Sequence, residues 1–279
     1  MIGLGSNRLT VCRRGGMSVT QAGRGGMEWL AGGRMPSWAS PYSAQATAAL
    51  TAQFPTQWPT IRDYGFAHPA LVPFINEDPM VICSILPELG KIRSVNGGGT
   101  GYFRTGVMNT PCDTTRFVFK YRRNATTDRV SFGNRKTYSS QSFLFTFTWN
   151  SPNNCGWNYG NGYTSKSANS ISLAFHEFDL DGTTGKVLID GTEFMSRTVA
   201  TGVNSYGEFL LIGVSWNGSS EAADIGTGDF AGGQMYVNGE LAHWYCPFKR
   251  NGVMEMMDIV TGNLCERVGT FTELIESPS

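Results

Sequence analysis

The chain has 279 residues with 22 Lys+Arg against 22 Asp+Glu, so its formal charge is zero, which argues against a globally basic nucleic-acid binder. Charged residues make up only 16%, while Gly numbers 35 and aromatics reach 12%. Against the roughly 25% charged residues usual for soluble domains, that balance points away from a helical bundle and towards a β protein with many turns. No apolar run approaches the length of a membrane span, so no membrane insertion is expected. The opening segment MIGLGSNRLTVCRRGGMSVT lacks a continuous apolar stretch before its Arg pair and does not read as a secretory signal peptide. Cys12, Cys83, Cys112, Cys155, Cys246 and Cys265 show neither CxxC nor Cys/His spacing, so they read as reduced, mostly buried thiols rather than metal ligands.

Residues 1–34 differ in kind from the rest of the chain. They hold nine glycines, five arginines (Arg8, Arg13, Arg14, Arg24 and Arg34) and one acid, Glu28, too little apolar mass to build a core. They read as an extended, irregular arm that anchors the chain on a partner surface through those arginines. Residues 35–87 read as a connector interrupted by Pro36, Pro41, Pro55, Pro59, Pro69, Pro73 and Pro79, with one short helix over 43–54 capped by Ser43. Its aromatics, among them Tyr42, Trp58, Tyr64 and Phe74, are too many for a free linker, and they are expected to pack on the next domain or on a partner.

Residues 88–279 carry a strong β signal. Phe143, Phe145, Phe147 and Trp149 alternate with Leu144, Thr146 and Thr148, giving a strand with one aromatic face. Phe117, Phe119 and Tyr121 alternate in the same way, and EFLLIGVSW from Glu208 is apolar on both faces. Asp190-Gly191 and Asn238-Gly239 are hairpin-type turn pairs between apolar runs. Many short strands separated by turn signals predict an all-β, two-sheet antiparallel jelly-roll sandwich.

Several of these pieces, in order, resemble one family. GGTGYFRTG from Gly98 is similar to the opening "GTQYIDTG" strand of the concanavalin A-like/laminin-G-like domains found in phage and gut-bacterial surface proteins. Phe132-Gly133-Asn134-Arg135 resembles that family's "FGAR", Val187 to Gly191 (VLIDG) its "VYIDG" hairpin, and residues 232–272 its closing run. The likeness departs at Met256-Met257-Asp258, where the family has an aromatic before the Asp. It implies a jelly roll over about two thirds of the chain. The fold hosts lectins, adhesion modules, glycosidases and structural domains, so it does not select a function. Some laminin-G-like domains bind calcium, but no EF-hand-like spacing occurs here and neither metal nor cofactor is expected.

Two stretches carry candidate chemistry. In His176-Glu177-Phe178-Asp179-Leu180-Asp181, three acids share one strand face, as in the E-x-D-x-E strand of concanavalin-fold glycosidases. Retaining hydrolysis needs carboxyl groups about 5–5.5 Å apart, and residues i and i+4 on a strand are about 13 Å apart at Cα. The segment therefore reads as a strand entering a hairpin, with a glycosidase using Glu177 as the alternative. Its apolar predecessors Ile171, Leu173 and Phe175 have the same parity as the acids, which a bulge or a sheet edge would reconcile. His68, His176 and His243 show no triad-like spacing to Ser or Cys and read as structural. The second stretch is NSPNNCGWNYGNGYTS from Asn150, read as a loop presenting Trp157, Asn158, Tyr159, Asn161 and Tyr163, with Trp216 and Asn217 as a second polar aromatic turn. Aromatic faces and amides suit sugar rings; the same residues suit a protein contact or a plug for the end of the sandwich. These readings converge on a non-enzymatic bacteriophage virion protein (a fibre, decoration or adhesion subunit). It would be made in the host cytoplasm, homo-oligomeric, docked to other virion proteins through its arm, and able to meet a host surface glycan. A bacterial cell-surface lectin is the alternative.

Overall fold

The computed structural model describes residues 3–5, 8–11, 18–21 and 27–30 by their backbone, and residues 39–137, 140–147, 153–217 and 222–276 in more detail. Residues 1–41 form a unit of their own. Within it the strands Gly3–Gly5, Arg8–Val11, Ser18–Gln21 and Met27–Leu30 pair antiparallel in chain order. The runs RLTV, SVTQ and MEWL contain the β-branched and large residues that favour pairing, so the segment read as irregular holds a small meander. Arg8 opens the second strand. Arg13, Arg14, Arg24 and Arg34 lie outside the described residues.

The second unit, residues 42–279, is a two-sheet β-sandwich with a helical layer on one outer face. The first sheet runs in the order Gly162–Ser167, Asn154–Gly160, Ser140–Phe147, Ser131–Thr137, Glu208–Leu211, Tyr102–Met108 and Glu266–Val268. The second runs Thr192–Ser196, Lys186–Ile189, His176–Asp181, Thr115–Arg122, Asp229–Val237, Glu240–Arg250, Val253–Asp258 and Asn263–Leu264. Strand Ile92–Asn96 branches from Asp229–Val237 and carries the C-terminal strand Thr272–Glu276. Among the described strands pairing is antiparallel except where Gly213–Trp216 runs parallel to Ser131–Thr137. The doubly apolar run from Glu208 reaches that position by breaking at Ile212, whose φ of 64° is strained for a β-branched residue.

The alternating aromatics meet between the sheets. Phe117, Phe119 and Tyr121 from the second sheet face Phe132, Phe143, Phe145 and Phe147 from the first, all essentially without solvent exposure. Phe119 lies 4.4 Å from Phe132 and 5.2 Å from Phe178 between ring centroids, a stack that adds to the area it buries. Both hairpin pairs take the positive φ their turns require: 49° and 76° at Asp190-Gly191, 53° and 80° at Asn238-Gly239. The described cysteines, Cys83, Cys112, Cys155, Cys246 and Cys265, are buried and unpaired.

Residues 42–89 form a helical layer. Helix Ala44–Gln53 is capped by Ser43, whose hydroxyl accepts from the Ala46 N–H at 3.2 Å. Beyond it, prolines that read as interruptions start new turns: Pro59 in Trp58–Ala67, Pro69 in Pro69–Leu71, Pro73 in Val72–Glu77 and Pro79 in Pro79–Val81. A proline in the first turn gives up only an N–H that has no helical partner there. The apolar side of this layer, including Leu50, Ile61, Ile75 and Ile82, closes on Cys246, Phe248 and Met257 of the second sheet and on Ile259 in the turn that follows it. Phe74 meets Phe248 edge-on at 4.7 Å. Among the described residues no helix is long and apolar enough to cross a membrane.

The turn after Val253–Asp258 is tied by Asp258, which is 4% exposed. Its carboxylate accepts from the His243 ring, the Thr261 hydroxyl and the backbone N–H groups of Trp244 and Val260, at 2.7–3.2 Å. Burial alone would raise its pKa, but the bonds from His243, Thr261 and Trp244 outweigh burial and hold it below the ordinary carboxylate range. A carboxyl depressed in the folded state stabilises the fold above its unfolded pKa, and the contribution fades as pH falls through the folded value. The melting temperature is therefore expected to drop once pH falls below about 4, and Asp258→Asn is expected to flatten that drop. Parallel melting curves for parent and variant across the acid range would refute the assignment.

Candidate functional site

The helical layer covers the strands Glu240–Arg250 and Val253–Asp258 and stops short of Thr115–Arg122 and His176–Asp181. At this step lies a cleft of about 240 Å³, walled by Ser84 and Ile85 and floored by Val118, Lys120, Glu177, Gln234 and Trp244. Strand register assembles the floor. Glu177 stands opposite Lys120, Val118 opposite Gln234, and Gln234 opposite Trp244. The period-2 rule then puts all of these on the outer face, because Phe117, Phe119 and Phe178 point into the core. A register shift between Phe230 and Gly233 bends the floor. Gly232 sits at φ 103°, and a Cβ on Gly233 would come within 2.8 Å of Phe119 Cβ, so a side chain at either position would disturb the bend.

The cleft offers donors, acceptors and a ring. The Glu177 carboxylate and the Lys120 ammonium form no salt bridge with any described residue, although they are cross-strand neighbours. The Gln234 amide oxygen accepts from the Tyr236 hydroxyl at 3.0 Å, which fixes the amide and turns its NH₂ group away from Tyr236. Trp244 contributes a half-buried indole beside it.

The other two acids of the His176–Asp181 strand are committed elsewhere. Asp179 takes a bidentate pair from Arg116, at 2.8 Å from Nε and 2.6 Å from Nη2. Asp181 accepts from the Thr183 and Thr184 hydroxyls, each at 2.7 Å, and from their backbone N–H groups, tying the turn that ends the strand. Burial pulls its pKa upward, but these four bonds prevail and hold it below the ordinary range. Glu177 therefore has no second free carboxylate on its strand. The parity conflict upstream resolves simply: the strand begins at His176, and Ile171, Leu173 and Phe175 precede it in irregular chain.

The residues expected in a loop after Asn150 are placed otherwise. Asn154–Gly160 and Gly162–Ser167 form a tight antiparallel hairpin. Trp157 and Tyr159 are 0% and 1% exposed, stacked at 4.6 Å inside the sandwich, and so present no face to a sugar. The Tyr159 hydroxyl donates to the Gly182 carbonyl at 2.5 Å. Asn158 is also fully buried. Asn161 sits in the hairpin turn and accepts from the Gln141 N–H at 3.2 Å. Tyr163 alone keeps a large exposed ring, opposite Asn158 in register. Trp216 lies under the Arg135 guanidinium at 4.0 Å, and the exposed Asn217 turns the chain at φ 51°. The structure gathers none of these into one pocket, and the cleft is built from Lys120, Gln234 and Trp244, which sequence reasoning passed over. Alternation of Lys120 with Phe119 and Tyr121 was the available signal that it faces outward.

No protein-family model matches this chain. No curated protein matches it either.

Proposed function

We propose that this protein is a structural and adhesion subunit of a bacteriophage virion, holding a host surface glycan in the cleft at Lys120, Glu177, Gln234 and Trp244. The observation that carries the adhesion reading is the cleft itself: a carboxylate and an ammonium outside any salt bridge among the described residues, an oriented amide and an indole within about 240 Å³. Sugar hydroxyls need both donors and acceptors, and the apolar face of a sugar ring suits an indole. Cleavage of the glycosidic bond is not part of this reading, because Asp179 and Asp181 are held by Arg116 and by the threonine turn. The virion setting rests on the resemblance of about residues 88–272 to phage surface domains and on the Gly/Arg-rich segment as the attachment to other virion proteins.

Glycan-array binding of the full chain tests the ligand. Lys120→Ala and Gln234→Ala are each expected to weaken binding at least about tenfold, the scale of one or two lost hydrogen bonds in a site. Tyr163→Ala, in the hairpin, is expected to bind as the parent does. Binding that survives both cleft substitutions overturns the site. Antibody against residues 88–279 on lysates of the source culture tests the setting: gold on particles supports it, and gold confined to cell envelopes replaces it with a surface lectin.

A further inference from the structure

His176, read from the sequence as a structural histidine, has a partner at each ring nitrogen. Ser172, on the exposed turn before the strand, has its Oγ 2.8 Å from His176 Nε2. His176 Nδ1 lies 2.6 Å from Asp190 Oδ2. The other oxygen, Asp190 Oδ1, accepts the Glu177 N–H at 2.9 Å, while the Asp190 N–H donates to the Glu177 carbonyl at 2.9 Å. Two backbone bonds to one residue thus lock Asp190 in the hairpin turn, with one carboxylate oxygen on the histidine.

These contacts select one tautomer of the neutral imidazole. Burial works to raise the pKa of Asp190, but bonds from His176 and Glu177 and the nearby Lys120 charge hold it below the ordinary range. An ionised carboxylate only accepts, so in the neutral imidazole Nδ1 carries the hydrogen and the Nε2 lone pair faces the Ser172 hydroxyl. The Ala174 N–H donates to Ser172 Oγ at 3.2 Å, which favours negative charge developing on that oxygen. A nucleophile, a base in reach of it and a third group orienting the base are the requirements of an activated serine.

We propose that Ser172, His176 and Asp190 form a nucleophilic relay that hydrolyses carboxylic esters presented from solvent to the exposed Ser172. Ser172 Oγ bonds to the acyl carbon and its proton passes to His176 Nε2. The bond from the acyl carbon to the leaving oxygen breaks, and that oxygen takes the proton as an alcohol. Water then adds to the acyl-serine, giving its proton to His176. The Ser172–acyl bond breaks, the carboxylic acid leaves, and Ser172 regains its proton. No oxidant, metal or cofactor enters the balance. Ser172 and His176 are the catalytic residues, and Asp190 positions His176.

The activity is independent of the glycan reading and is tested separately. The full chain is assayed on p-nitrophenyl acetate and labelled with a fluorophosphonate probe, followed by peptide mapping. The parent is expected to hydrolyse the ester and to carry the probe on Ser172. Ser172→Ala is expected to reduce the rate to that of buffer and abolish labelling, and His176→Gln to slow it about 10²–10⁴-fold, the usual worth of a general base. Asp190→Asn keeps a residue that tolerates the positive φ of this turn. It is expected to lower kcat and slow probe labelling by at least about tenfold with KM unchanged, a split that mere loss of structure would not give. Equal ester hydrolysis by parent and Ser172→Ala, or a probe adduct on another residue, overturns the relay.

Discussion

Replacing Trp157 by alanine is expected to destabilise the sandwich by about 3–5 kcal/mol, the range for truncating a large buried aromatic. The indole is fully buried and stacks on Tyr159, in the same cluster as Phe143, Phe145 and Phe178. Its Nε1–H meets no hydrogen-bond acceptor among the described residues, so the loss is one of apolar contact and packing. For the same reason Trp157→Phe is expected to cost markedly less, since it keeps a ring and removes a buried donor without a partner. Urea unfolding followed by far-UV circular dichroism measures both. Tyr163→Ala on the neighbouring strand, whose ring is 46% exposed, is the control and is expected to fall within about 0.5 kcal/mol of the parent. Equal effects at 157 and 163 would return the hairpin to the surface.

The contrast between Trp157 and Lys120 shows what local pattern conveys. Cys155, Trp157 and Tyr159 alternate with Gly156, Asn158 and Gly160, the same period of two that marks Phe143, Phe145 and Phe147. Asparagine and glycine between the large residues give the segment the composition of a loop, which masks its period. Where turn chemistry and period agree, as at Asp190-Gly191 and Asn238-Gly239, the hairpins stand as read. The helical layer was hidden for a different reason. Proline breaks a helix only in its interior, and at positions 59, 69, 73 and 79 it stands in first turns.

The cleft and the relay are long-range products that no window of sequence contains. Lys120, Glu177, Gln234 and Trp244 sit on four strands, brought together by register across the second sheet and by the bend at Gly232-Gly233. Their chemistry is ordinary in isolation, and only the edge of the helical layer makes a cleft of them. Ser172 and His176 are four residues apart in a segment that reads as a strand, where such a pair would stand about 13 Å apart at Cα. The turn before His176 shortens that distance, and Asp190 arrives from the far end of a hairpin.

Removal of Arg93 is expected to have an effect of similar size. Arg93, in strand Ile92–Asn96, is 1% exposed at its side chain, and its guanidinium lies 2.5 Å from Asp78 of the helical layer and 2.5 Å from Glu273 of the C-terminal strand. Asp78 also accepts from the Met80 N–H, starting the turn Pro79–Val81, and Glu273 is further paired with Lys249 at 2.7 Å. One buried cation thus joins chain positions 78, 93 and 273, fixing the layer and the terminal strand on the same sheet. The cluster as a whole contributes little against its own desolvation, but removing Arg93 leaves the largely buried Asp78 without its cation and Glu273 with only the more exposed Lys249. Arg93→Met is therefore expected to cost about 3–5 kcal/mol, whereas Lys249→Ala, at an exposed amine, is expected to cost under about 1 kcal/mol. Adding Asp78→Asn and Glu273→Gln to Arg93→Met removes the stranded charges and is expected to recover much of the loss, which separates charge burial from lost packing. Urea midpoints for the four proteins, with limited proteolysis mapping cuts in residues 42–89, provide the measurement. If Arg93→Met unfolds within about 1 kcal/mol of the parent, water already reaches those carboxylates and the buried cation is not what holds the helical layer in place.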